Sequence, residues 1–122
     1  MKKKLEQELK NYLDSSTKFT PYYEMMKQIV TSTLFDLQLQ EIIRELENED
    51  QNNAKRFKLY LDTVIVNMQS KIAKYKPSHF FEDTNVKEIE NQGYVIPFYC
   101  DEPNEVYVLL GIYKKTTNND NS

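Results

Sequence analysis

Residues 93–113 read Gly93-Tyr94-Val95-Ile96-Pro97-Phe98-Tyr99-Cys100-Asp101-Glu102-Pro103-Asn104-Glu105-Val106-Tyr107-Val108-Leu109-Leu110-Gly111-Ile112-Tyr113. Tyr94–Cys100 is rich in β-branched and aromatic residues, Asp101–Glu105 carries turn formers, and Val106–Tyr113 is apolar almost without a break. That pattern is two antiparallel strands joined by a turn. A strand that is apolar at both alternations is buried on both faces, so Val106–Tyr113 is expected at the centre of a sheet. Pro97 has no N–H for a ladder, so its strand must meet a bulge or an unbonded edge there. Upstream, Asn85–Glu90 is a shorter, more polar strand. Asn91-Gln92-Gly93 joins it to the next as a hairpin loop, with Gly93 able to take positive φ.

Further upstream the period changes from two to 3.6. Phe57, Leu61, Val64, Ile65, Met68, Ile72 and Tyr75 recur at helical spacing, which predicts one helix of about six turns that Pro77 stops. Phe35, Leu39, Ile42, Ile43 and Leu46 predict a second amphipathic helix before it. Thr33 is the expected N-cap of that helix, with Asp36 near the positive end of its dipole. The polar run Asn48–Asn53 separates the two helices, and β-branched Lys27–Thr33 reads as a first strand. The order is β-α-α-β-β-β: an α+β domain in which an antiparallel sheet packs on a helical hairpin. Its span is 26–115. Residues 1–25 read as an N-terminal arm with a short amphipathic helix on Leu5, Leu9, Tyr12 and Leu13, ended by Ser15, Ser16, Thr17 and Pro21. Either Met25 or Met26 is the true start, or that helix docks on the helical hairpin. Residues 116–122, Thr-Thr-Asn-Asn-Asp-Asn-Ser, read as a disordered tail.

Composition narrows the function classes. The chain has 122 residues, a formal net charge of −3, one cysteine, one histidine and two glycines. Cys100 has no partner for an internal disulfide, and His79 leaves no Cys/His cluster for zinc. Two glycines are too few for a phosphate-cradling glycine loop. No run approaches the roughly 18 apolar residues of a membrane span. The lysine-rich start is followed by no apolar signal-peptide core, so a cytoplasmic, cofactor-free protein is expected. Charge is segregated along the chain. Five acids face one arginine over 41–50, six bases face one acid over 55–76, and seven acids face one lysine over 77–105.

From Met26 to Lys115 the chain resembles the RelE/ParE superfamily of type II toxin–antitoxin toxins, and in the run from Tyr75-Lys76-Pro77-Ser78-His79-Phe80-Phe81 to Glu88-Ile89 it is similar to a ParE-like subgroup. The likeness rests on the helical hairpin between the first strand and a closing meander. It rests also on Asp50-Gln51-Asn52-Asn53-Ala54-Lys55-Arg56-Phe57, a polar turn followed by alanine and an aromatic. The third element is Gly93-Tyr94-Val95-Ile96-Pro97-Phe98-Tyr99 followed by Val108-Leu109-Leu110-Gly111-Ile112-Tyr113. The resemblance implies a toxin that inhibits growth, associated with plasmid stabilization and neutralised by a cognate antitoxin. ParE-type members bind DNA gyrase. RelE-type members are ribosome-dependent endoribonucleases that cleave mRNA. A homodimer and an inert interaction domain of the same fold are further expectations.

The ribonuclease reading needs proton donors and acceptors and cations around a phosphate. The resemblance places an arginine after the strand tyrosine in RelE-type members, and here Val95 follows Tyr94. Tyr113, Lys114 and Lys115 at the end of the last strand are the candidate catalytic residues under that reading. Lysine lacks the forked geometry with which arginine holds a phosphate. The chain carries 14 lysines and only two arginines, Arg44 and Arg56, both on the predicted helices. The candidate target- or antitoxin-binding residues are Lys71, Lys74, Lys76, Tyr94 and Tyr113. The lysines at 71 and 74 also complement a helix C-terminus. Cys100 is expected to be a structural thiol. Tyr22, Tyr23, Met25 and Met26 are either a partner patch or a clasp holding the arm to the core.

Overall fold

The computed structural model describes residues 1–14, 19–23, 25–26, 28–78, 81, 83 and 85–116. His79 and residues 117–122 of the expected tail lie outside the described residues. The elements are α1 (Lys2–Asp14), β1 (Thr20–Pro21), β2 (Ile29–Thr31), α2 (Thr33–Glu49) and α3 (Gln51–Val66), then a 3-10 helix (Met68–Lys74). They are followed by β3 (Lys76–Pro77), β4 (Val86–Asn91), β5 (Tyr94–Asp101), β6 (Val106–Leu109) and β7 (Tyr113–Lys114). The fold is α+β, with the expected hairpin of helices between β2 and the β4–β5–β6 meander.

The strands lie in the order β1-β2-β6-β5-β4-β3, with β7 also against β5. Every pairing is antiparallel except β2–β6, which is parallel, with Val30 beside Val108. An all-antiparallel sheet therefore does not form. The helical hairpin brings the chain back so that β4 and β6 run in one direction with β2, and β2 takes the open edge of β6. Gln92 and Gly93 have φ of 55° and 85° in the β4–β5 turn. Positive φ at both central residues suits the right-handed twist of the flanking strands.

The sheet is covered on both faces. Ile29, Ile89, Ile96, Phe98, Cys100, Leu109 and Ile112 meet Phe35 and Ile42 of α2, Phe57, Leu61 and Ile65 of α3, and Met68. On the opposite face Val30, Val86, Val108 and Leu110 meet Leu5, Leu9 and Tyr12 of α1. Residues 29/30 and 108/109/110 alternate between the two cores, as the pleat requires. The arm is thus a third layer. It docks on the sheet face opposite the helical hairpin and touches the hairpin at the N-terminal end of α2, and Leu13 is left exposed because it falls off the Leu5–Leu9–Tyr12 stripe.

Polar contacts fix this third layer. Glu8 Oε2 accepts from the Leu34 N–H at 2.7 Å, so a carboxylate of α1 caps the N-terminus of α2. Tyr12 donates to Asp101 Oδ2 at 2.6 Å. Burial raises the Asp101 carboxyl, but bonds from Tyr12 and Asn104 outweigh it and hold the group below its ordinary value.

Between Phe98↔Leu109 and Val95↔Tyr113, two residues of β5 face three of the last strand, Leu110–Ile112. This is a one-residue bulge, and Pro97 lies within it. The Pro97 carbonyl accepts from Leu110 N–H at 2.9 Å, so its donor-less nitrogen faces the same irregular stretch. Side chains of neighbouring elements satisfy the remaining groups. Gln38 Oε1 accepts from Ile112 N–H at 2.8 Å, and Ser32 Oγ donates to the Leu110 carbonyl at 2.7 Å. At Gly111 a Cβ would lie 2.5 Å from Leu5 Cδ2 and 2.8 Å from Gln38 Oε1. The glycine is there because α1 and α2 both approach the backbone.

Two local expectations are corrected. Ser32, not Thr33, is the N-cap of α2, accepting from Phe35 N–H at 2.9 Å. The long helix is interrupted at Asn67, where α3 gives way to the 3-10 helix. Asn67 Nδ2 donates to Thr63 O, and Ser70 Oγ donates to Asn67 O. These local bonds compete with the helical ladder. Replacing Ser32 by Ala removes the cap and strands the buried Leu110 carbonyl. A loss of about 2 kcal/mol is expected in urea unfolding followed by circular dichroism.

Candidate functional site

A cleft of about 520 Å³ opens between α2 and the tips of β5 and β7. Helical spacing builds one wall, because Glu41, Glu45 and Glu49 follow i, i+4 and i+8 and stand in a row on α2. Ile42 and Leu46 border that row, and Gln92, Tyr94, Ile112, Tyr113 and Lys114 form the opposite side. Among the described residues, three carboxylates of the lining thus face one ammonium group, that of Lys114. The Tyr94 ring meets Phe57 edge-on at 5.3 Å between centroids. Burial first, then Glu45 and Glu49, pushes its phenol above the ordinary tyrosine value.

Two of the three candidate catalytic residues, Tyr113 and Lys114, line this cleft. Lys114 pairs with Tyr94 and lines the cleft beside α2. Tyr113 packs against the α1-side core, where burial, Glu88 and Glu90 raise its phenol far above the usual range. Lys115 Nζ pairs with Glu90 at 3.0 Å, and its N–H donates to the Gly93 carbonyl. Tyr113 and Lys114 therefore share the cleft beside α2, whereas Lys115 is engaged by Glu90 of β4.

The basic candidates are also divided. Lys71 is exposed on the last turn of the 3-10 helix. Lys74 and Lys76 line a smaller cleft of about 270 Å³ with Tyr75, Glu88 and Glu90, and Lys76 sits opposite Glu88 in the β3–β4 ladder. Tyr94 lies in the other cleft. Two lysines of the positive stretch, Lys74 and Lys76, thus sit with carboxylates of β4.

Other candidates have structural places. Cys100 is buried and free, and burial pushes its thiol up. Tyr22 and Met26 pack against the main core. Tyr22 donates to Asp62, which also pairs with Lys58 at 2.7 Å, while Lys58 lies 5.3 Å from the Tyr22 ring centroid. Tyr22 and Tyr23 thus clasp the segment before β2 onto α3, whereas Met25 is 90% exposed. Among the described residues no group of His, Cys, Asp or Glu is placed to hold a metal ion, and no helix is long and apolar enough to cross a membrane.

The acidic wall is the feature sequence reasoning missed. Its signal was present as the excess of acids over 41–50, but only the alignment of 41, 45 and 49 beside the Ile42–Leu46 stripe turns it into a surface. No protein-family model matches the chain, and no curated protein matches it by sequence. The wall has a direct spectroscopic consequence. In the double variant Glu45→Gln/Glu49→Gln, the Tyr94 phenol should titrate at lower pH than in the unaltered protein, read from the ring carbon in ¹³C-tyrosine NMR. An unmoved titration would place the glutamates too far from the ring to shape the cleft.

Proposed function

We propose that this protein is a ParE-like toxin of a type II toxin–antitoxin system, acting in the cytoplasm by binding a cellular target such as DNA gyrase and neutralised by a cognate antitoxin. The helical hairpin between β2 and the β4–β5–β6 meander, with β2 beside β6, supports the resemblance on which this reading rests. The observation that carries the choice of binding over RNA cleavage is the acidic cleft at the end of the closing strands.

A ribonuclease working on mRNA must hold phosphates, and its affinity comes largely from cations that neutralise them. Here Glu41, Glu45 and Glu49 dominate the cleft that Lys114 shares, and Lys115 is engaged by Glu90. Val95 occupies the position where an arginine would reinforce the site. A phosphate approaching either group of candidates meets carboxylates first. A protein surface with basic side chains meets a complementary wall instead, which favours a macromolecular target over a cleaved backbone.

Controlled expression of the full chain in a bacterium tests the proposal. With thymidine and methionine incorporation pulse-labelled in the first minutes after induction, thymidine incorporation is expected to fall first while messages stay intact. An earlier fall in methionine incorporation together with cleaved messages would overturn it.

A further inference from the structure

The outward side of α3 is left uncovered although much of it is apolar. Its inner stripe, Ala54, Phe57, Leu61 and Ile65, is buried. On the other side Leu59, Tyr60 and Val66 are 64, 57 and 50% exposed, where a surface helix ordinarily carries polar groups. Lys55 and Arg56 stand one turn before Leu59 and Tyr60, and no acid is among the exposed residues of α3. The helix thus presents an apolar side with a basic end. Exposed apolar side chains gathered on one surface mark an interaction site.

The charges that complement this face lie on the same chain. Glu41, Glu45 and Glu49 recur every fourth residue along α2, about 6 Å apart at the helical rise, with Leu46 beside them. Lys114 offsets one of the three carboxylates of the cleft and leaves two in excess. Lys55 and Arg56 supply two cations. These two residues and the three glutamates are all exposed, and none of them enters an ion pair among the described residues. A second α3 offers the basic face no acid, so two copies of that face gain no charge complementarity from each other.

We propose that copies of this protein associate through unlike faces, the basic apolar side of α3 in one copy against the acidic wall of α2 in another. Leu59 and Tyr60 then cover Leu46 and the apolar lining of the cleft, while Lys55 and Arg56 meet the glutamates. Exposed ion pairs add little by themselves, and the apolar side chains between them carry the rest of the affinity. The association is therefore weak and weakens further with salt. A copy seated on the wall occupies the acidic cleft, so that cleft is open to another protein only after the copies separate. The contact is independent of the toxin reading, and either stands if the other fails.

Sedimentation equilibrium of the full chain tests the contact. The weight-average mass is expected to rise above that of the monomer with concentration and to fall back to it as salt is added. The variants Lys55→Glu/Arg56→Glu and Glu45→Lys/Glu49→Lys alter only exposed side chains. Each alone is expected to stay monomeric, and an equal mixture to recover the association, because each reversed face complements a face of the other variant. A chain that is monomeric up to its solubility limit overturns the proposal. So does association that persists in either variant alone, which would mean that like faces meet, and so does a mixture that stays monomeric. Leu59→Ser decides the matter if a charge reversal fails to fold. It is expected to weaken the association about tenfold, and an unchanged association overturns the proposal.

Discussion

Pro97 cannot donate a hydrogen bond, and much of the architecture follows from where that missing donor falls. It lies at the centre of β5, the strand that pairs with β4 on one side and with β6 and β7 on the other. The last strand answers with one extra residue, and the bulge leaves backbone groups that regular pairing would have satisfied. Ser32 and Gln38, at the start of α2, supply the missing partners. The same kink exposes the backbone at Gly111, and Leu5 of α1 settles there. Three layers are registered to one another at a single irregular point.

That joint separates what periodicity reveals from what it hides. The order of helices and strands was legible because each apolar stripe keeps one period over many residues. That Pro97 must fall at a bulge or an unbonded edge was legible too, and the bulge is the one of the two that forms. Other features depend on bonds with no period. Asn67 breaks the long helix through its own amide, and Ser32 displaces Thr33 as cap because its hydroxyl also reaches Leu110. The role of α1 was legible in principle. Val106–Tyr113 is apolar at both alternations, which demands a cover on each face, and the hairpin provides only one. The remaining amphipathic helix was the arm.

The candidate site was less legible for a related reason. Tyr113, Lys114 and Lys115 are adjacent in sequence, but a strand sends neighbours to opposite faces. Tyr113 and Lys114 nevertheless both line the cleft beside α2, while Lys115 turns to Glu90 of β4. Lys74 and Lys76 look like part of a basic run until β3 sets Lys76 opposite Glu88 and both line a cleft with Glu88 and Glu90. Lys58 and Lys115 pair with carboxylates, and Lys74, Lys76 and Lys114 line clefts that carboxylates share.

If the bulge is the joint that holds the layers together, a methyl group at its centre should disturb all of them at once. The direct measurement is residue-resolved hydrogen exchange on Gly111→Ala beside the unaltered chain. Overpacking at such a site costs about 1–3 kcal/mol. The expected result is a joint loss of protection at the Ile112 amide and across α1, with the β4–β5 ladder still protected. Unchanged protection at both places would contradict the joint, and with it the view that α1, α2 and the sheet are registered through Gly111.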